Sequence, residues 1–169
     1  MRIFIAIIIV VFTRFSAHAS EPISEMRGLA PFTGTWEQVM TDDAKSKPDV
    51  QVWEWAFGGK VVRIIHGNGS YGGESLIHWD SQQEKIIFRY ITNAGFYTDG
   101  IMTPAEHGFD VHEHIRGAKS GPSEALSHYR ITGGGNLHVK AKFKMNDVWG
   151  EPFTSTYKPA PDAVVKYDN

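Results

Sequence analysis

Cysteine is absent from the 169-residue chain. No disulfide can brace the fold, and thiolate catalysis and cysteine-ligated zinc are excluded. The core must therefore come from apolar burial. A surplus of positive charge is missing too: 17 basic residues stand against 19 acidic ones, a net charge of −2. That is no footprint for nucleic acid, which calls for a basic face. The chain carries no low-complexity tract and no repeat at solenoid spacing. It has no Gly-x-Ser-x-Gly elbow, which excludes a hydrolase triad of that type. Gly58-Gly59-Lys60 and Gly67-Asn68-Gly69 lack the strand–loop–helix setting of a phosphate loop and read as hairpin turns.

The one long apolar run is Ile3 to Phe12, ten residues. A transmembrane helix needs about 20. The run follows Met1-Arg2 and precedes Ala17-His18-Ala19, the layout of a secretory signal peptide with small residues at the cleavage spacing. Residues 1–19 are expected to be that signal and to be removed after Ala19, with an uncleaved anchor as the alternative. The protein is then exported, periplasmic or secreted, with no stable membrane insertion after cleavage. Removing Arg2 and Arg14 from the 17 basic residues leaves 15 against 19 acidic ones, a net charge of −4. Residues 20–169 are expected to form a single β-barrel domain.

That stretch is a succession of short β-type runs separated by turn residues, the spacing of a sandwich or barrel. Ten runs are expected: 34–40, 50–57, 60–66, 71–80, 85–92, 95–102, 108–116, 123–132, 136–144 and 148–157. Gly and Asn dominate the turns, because tight hairpins need positive φ. Connections this short cannot carry crossovers, so neighbours pair antiparallel. Ten hairpin-linked strands make a meander, and closing it removes both exposed edges. The fold class is thus an all-β, ten-stranded antiparallel up-and-down barrel. Pro152 cannot donate to a ladder and reads as a bulge in the last strand, near the seam. A short helix, about Ile23 to Leu29 and ended by Pro31, is expected across one mouth. The tail from Lys158 on is expected to be irregular.

Alternation picks out the inner face. Phe109, Val111, Glu113 and Ile115 share one side of the seventh run, against Asp110, His112, His114 and Arg116. Ala125, Ser127, Tyr129 and Ile131 continue the inner face, as do Leu137, Val139, Ala141 and Phe143. Ile86, Phe88, Tyr90, Phe96, Thr98, Met102, Tyr71, Ser75, Ile77 and Trp79 complete it. Three polar residues fall among the inward set: Glu113, Ser127 and Glu151. A symmetric turn between runs seven and eight puts Glu113 opposite Ser127 and His128 beside His112.

Leu29-Ala30-Pro31-Phe32-Thr33-Gly34-Thr35-Trp36 places a Gly-x-Trp at the start of the first strand, after a short helix. This resembles the calycin group of lipocalins and fatty-acid-binding proteins, where the Trp closes one barrel end; Trp36 takes that role in the resemblance. With Tyr71-Gly72-Gly73-Glu74 ahead of Trp79-Asp80, the arrangement looks closest to the exported bacterial proteins grouped as domain of unknown function 1579. No Arg-x-Tyr pair matches the carboxylate clamp of fatty-acid-binding proteins, so fatty-acid binding is not implied.

Two functional classes follow. The first is a carrier whose aromatic-lined cavity takes a small apolar or aromatic ligand, with Trp79, Tyr90, Thr98, Glu113, Ser127 and Tyr129 as lining residues. The alternative is a cofactor-free isomerase or lyase in which Glu113, tuned by burial, acts as general acid or base. A filled barrel that self-associates through its outer face is a third, structural possibility. His112 and His114 form a His-x-His pair that, with His128, offers imidazoles for zinc or copper. That face points outward among Lys and Arg, so solvated surface histidines are the expectation and no metal or cofactor is assigned.

Overall fold

The computed structural model describes residues 21–41 and 46–167; the signal segment expected at 1–19 lies outside them. Eleven strands form: β1 Gly34–Gln38, β2 Val50–Ala56, β3 Val61–Gly67, β4 Gly72–Asp80, β5 Lys85–Thr92, β6 Tyr97–Ala105, β7 Gly108–Arg116, β8 Glu124–Ile131, β9 Leu137–Met145, β10 Val148–Trp149 and β11 Phe153–Pro159. Each pairs antiparallel with its neighbour from β1 through β9, and β11 joins β9 to β1. The result is a closed ten-stranded antiparallel barrel, with β10 a short extension of the last hairpin.

The expected tenth run is split in two. Trp149 pairs with Lys144 and Phe153 with Ala141, so Gly150, Glu151 and Pro152 stand opposite two residues of β9. This is a one-residue bulge, placed where Pro152 has no N–H to offer. It shifts the alternation by one, so that Phe153, Ser155 and Tyr157 share the side of Ala141, Val139 and Leu137. Glu151 sits in the bulge, exposed, and is not the inward carboxylate that uninterrupted alternation implies. Two further expectations are corrected. Strand β6 runs on through Pro104, which pairs with Phe109; β5 pairs only as far as Met102, so no strand there awaits the missing N–H. Between β7 and β8 the pairs are Val111 with Ser127, Glu113 with Ala125, and Asp110 with His128. The register is offset by two from the symmetric one, because the seven-residue loop closes on a bond from Ile115 N–H to Ser123 C=O.

The helix is a 3₁₀ helix over Ser24–Phe32, and Pro31 lies inside it rather than ending it. Met26, Leu29 and Phe32 are buried on its inner side. Phe32 packs its ring against Trp53 at 5.8 Å and Phe109 at 5.6 Å. Ile23 N–H donates to Gly59 C=O in the β2–β3 turn. The helix thus stoppers the end of the barrel that carries the β2–β3, β6–β7 and β8–β9 turns. Trp36 is buried beside it, and its indole N–H donates to Phe32 C=O at 2.8 Å. The core cluster continues through Val62, Ile77, Ile86, Met102, Val111, Leu137 and Val139. A buried side chain of this size contributes about 1.5–3 kcal/mol.

The plug should be integral to stability. Phe32→Ala is expected to cost roughly 3–5 kcal/mol in urea denaturation. A loss below about 1 kcal/mol would mean that the helix is only laid against the barrel.

Candidate functional site

The end opposite the helix is open. There the loops before β2 and between β3–β4, β5–β6 and β7–β8 surround a cavity of about 480 Å³. Its walls include Trp53, Ile64, Ile77, Phe88, Tyr90, Met102, Val111, Ile115, Tyr129 and Tyr157 from the strands, with Tyr71 and Phe96 at the rim. The two rim rings stack at 6.3 Å. Phe143 and Phe153 stack at 5.7 Å across β9 and β11, the latter brought inward by the bulge.

Of the residues singled out in the sequence, Tyr90, Thr98, Glu113 and Tyr129 line this cavity. Trp79 and Ser127 do not. They border a second, more open hollow of about 820 Å³ that also touches outward residues such as His112, His128 and Lys140. Among the residues not expected in the site, Asp49, Gln51, His66 and Tyr157 stand on the cavity wall. His66 shares the inner face of β3 with Val62 and Ile64, a signal that alternation carries. Asp49 lies in a loop, where alternation is silent.

These polar groups are bonded to one another. His66 Nδ1 lies 2.9 Å from Asp49 Oδ1, and Nε2 lies 2.6 Å from the Tyr90 hydroxyl. The Tyr90 and Tyr71 hydroxyls are 2.9 Å apart. The other Asp49 oxygen accepts from Gln51 Nε2 at 3.1 Å and from the Tyr157 hydroxyl at 3.2 Å. Gln51 Oε1 in turn accepts from the indole N–H of Trp53. Apart from these, Thr98 Oγ1 donates to Glu113 Oε2 at 2.7 Å. Glu113 Oε1 and the Tyr129 hydroxyl have no protein partner among the described residues.

Gly73 makes room for this wall. A Cβ on it would collide with Ile91 C=O and the Tyr90 ring. The neighbouring Gly72 likewise leaves space for the Tyr167 ring, whose hydroxyl donates to His66 C=O at 3.1 Å. The Tyr71–Glu74 stretch is therefore glycine-rich because two aromatic rings press on its two faces.

Electrostatics follow burial. Desolvation pushes the Glu113 carboxyl above the ordinary glutamate value of 4.5, with the Thr98 hydrogen bond and the His112 charge opposing. Desolvation also raises the Tyr90, Tyr129 and Tyr71 phenols, and the Asp49 and Glu113 carboxylates add to each. Two acids and four phenols thus share one poorly solvated space, and no Lys or Arg is among the described lining residues.

On the outer surface, the ligand-type atoms of His112, His114 and Glu124 lie within 4.8 Å of one another. His128 is elsewhere, bonded to Asp110 at 2.7 Å. Glu124 already holds His112 Nε2 at 2.7 Å and Lys144 Nζ at 2.9 Å. Lys144 foremost, then His112, keeps its carboxyl below the usual range. An incoming metal cation would have to break these contacts beside a lysine.

No family model and no curated protein matches the chain. The barrel itself is consistent with a lipocalin- or calycin-like fold.

Glu113 should leave a mark on stability. In the unfolded chain it titrates near 4.5, and in the folded protein higher. The stability contributed by its bound proton is complete below the unfolded value and is lost as pH rises through the folded one. Glu113→Gln has no proton to lose. Its melting temperature should therefore gain on the wild type as pH rises from about 4 to about 8. Parallel melting curves across that range would show Glu113 to be solvated in the folded state.

Proposed function

We propose that the barrel binds an uncharged, partly aromatic small molecule in the mouth cavity. One observation carries this reading: an aromatic-walled hollow of about 480 Å³ in which Glu113 Oε1 and the Tyr129 hydroxyl are left without protein partners. The volume lies in the range of about 300–1,000 Å³ usual for small-molecule sites. Both atoms are open to the cavity, since no described side-chain polar atom is both buried and unpartnered, so they are free to bond a ligand with a polar group among apolar atoms. Asp49 and Glu113 are acidic and no Lys or Arg is among the described lining residues, which disfavours carboxylate and phosphate ligands by like-charge repulsion.

The proposal includes export and kinship. The apolar run Ile3–Phe12 followed by Ala17-His18-Ala19 supports delivery to the periplasm or beyond. The pair of motifs Phe32–Trp36 and Tyr71–Glu74 supports a place among the domain of unknown function 1579 proteins.

The neutral fluorescent probe N-phenyl-1-naphthylamine tests the reading. It should bind saturably, one per chain, and brighten on binding. Ser75→Trp, which puts an indole on the inner wall, should weaken it by about tenfold or more, that is by about 1.4 kcal/mol, while the variant still melts cooperatively. Absence of saturable binding, or binding unmoved in a folded Ser75→Trp variant, would sink the proposal.

A further inference from the structure

A carrier needs one or two polar groups to orient its ligand. This cavity has a row of four, Asp49, His66, Tyr90 and Tyr71, joined at 2.9, 2.6 and 2.9 Å. They come from the loop before β2, from β3, from β5 and from the β3–β4 turn, so the fold draws them from three hairpins. A network that serves structure alone closes on itself. This one ends on the Tyr71 hydroxyl, which lines the cavity and has no partner but Tyr90 among the described residues. Glu113 lines the same space, one oxygen held by Thr98 and the other free.

We propose that the cavity is an acid–base site that enolises a neutral ketone, with Glu113 as the base and Tyr71, at the end of the Asp49–His66–Tyr90 row, as hydrogen-bond donor to the carbonyl oxygen. This rests on the reading of the cavity as a small-molecule site. In the step, ionised Glu113 takes a proton from the carbon beside the carbonyl. The C–H electron pair becomes the new C=C bond, and the C=O π pair moves onto oxygen, which becomes an enolate. Glu113, now a neutral acid, returns its proton to the same carbon or, in a conjugated enone, to one further along. The net change is exchange or isomerisation, with no oxidant, reductant or co-reactant.

The row suits the second role. Asp49 Oδ1 lies against His66 Nδ1, and His66 Nε2 lies against the Tyr90 hydroxyl. Tyr90 then donates to Tyr71, and the Tyr71 proton is left pointing at the ligand. Each donor is polarised by the one behind it, and the row directs its last hydroxyl at the developing oxyanion. Asp49, His66 and Tyr90 are positioning residues, since they act through Tyr71. Burial suits the first role: it strengthens Glu113 as a base. The substrate class follows from the walls. Aromatic rings and a volume of about 480 Å³ with no Lys or Arg among the described lining residues fit an uncharged cyclic or aryl ketone bearing an acidic C–H beside its carbonyl.

The probe is 2-tetralone in deuterated buffer, with loss of the C–H signal beside the carbonyl followed by proton NMR. Its binding is read by displacement of N-phenyl-1-naphthylamine. The full chain should exchange that proton at least about a hundredfold faster than Glu113→Gln, the scale of general-base catalysis. Tyr71→Phe and Tyr90→Phe should each lose about tenfold or more in turnover, with KM and naphthylamine binding little changed. Displacement without accelerated exchange would overturn the proposal and leave the carrier reading intact. Failure of 2-tetralone to displace a bound naphthylamine would overturn the substrate class. Full exchange activity in both phenylalanine variants would reduce the row to a structural network. Failure of the naphthylamine itself to bind would strike the carrier reading first.

Discussion

Everything in this molecule depends on the pairing of its first strand with its last. β1 meets β11 through Trp36 with Pro159, Glu37 with Lys158 and Gln38 with Tyr157. Val39 N–H donates to Thr156 C=O at one end of the contact and Ala160 N–H to Thr35 C=O at the other. With this contact made, the sheet has no free edge around its circumference. The walls are then held apart at a diameter that ten strands impose, too wide for side chains alone to fill. An open sheet of the same hairpins would have collapsed on its aromatic face, and no hollow would remain.

The ends of the ring are treated differently. At one, the 3₁₀ helix inserts Met26, Leu29 and Phe32 among the core side chains and completes apolar packing. At the other, the space is left to a set of phenols, an imidazole and two carboxylates. Such groups are tolerable away from water only when bonded to one another. The bulge at Gly150–Pro152 belongs to the same arrangement. It turns Tyr157 inward, where its hydroxyl reaches Asp49 at 3.2 Å, and so ties the closing strand to the polar wall. Closure, cavity and the His66-centred row are one mechanical unit.

Much of the fold was legible because hairpin meanders write themselves in alternation and glycine. β5 and β7 have the bounds that the pattern implied, and the inner faces of β7, β8 and β9 follow period two. Where alternation is interrupted, it misleads. It carries Glu151 inward across a bulge, and it stops β6 before Pro104. It says nothing of register through a seven-residue loop, so a symmetric turn implies Ser127 opposite Glu113 where Ala125 stands. The site was half legible. Tyr90, Thr98, Glu113 and Tyr129 were visible as polar or aromatic residues on an inner face. Trp79 and Ser127 share that face without bordering the mouth cavity, because period two gives the side of the sheet and not the height along the barrel. Asp49 could not be found, since its role comes from a loop folding over the rim.

Amide hydrogen exchange, read residue by residue by NMR, tests closure most directly. The amides of Val39 and Ala160, at the two ends of the β1–β11 contact, should be protected as strongly as those in the middle of β4 and β5 and should be lost only with global unfolding. Exchange at the rate of an unpaired loop at these two positions, while β4 and β5 stay protected, would mean an open sheet and would contradict the closed, hollow barrel.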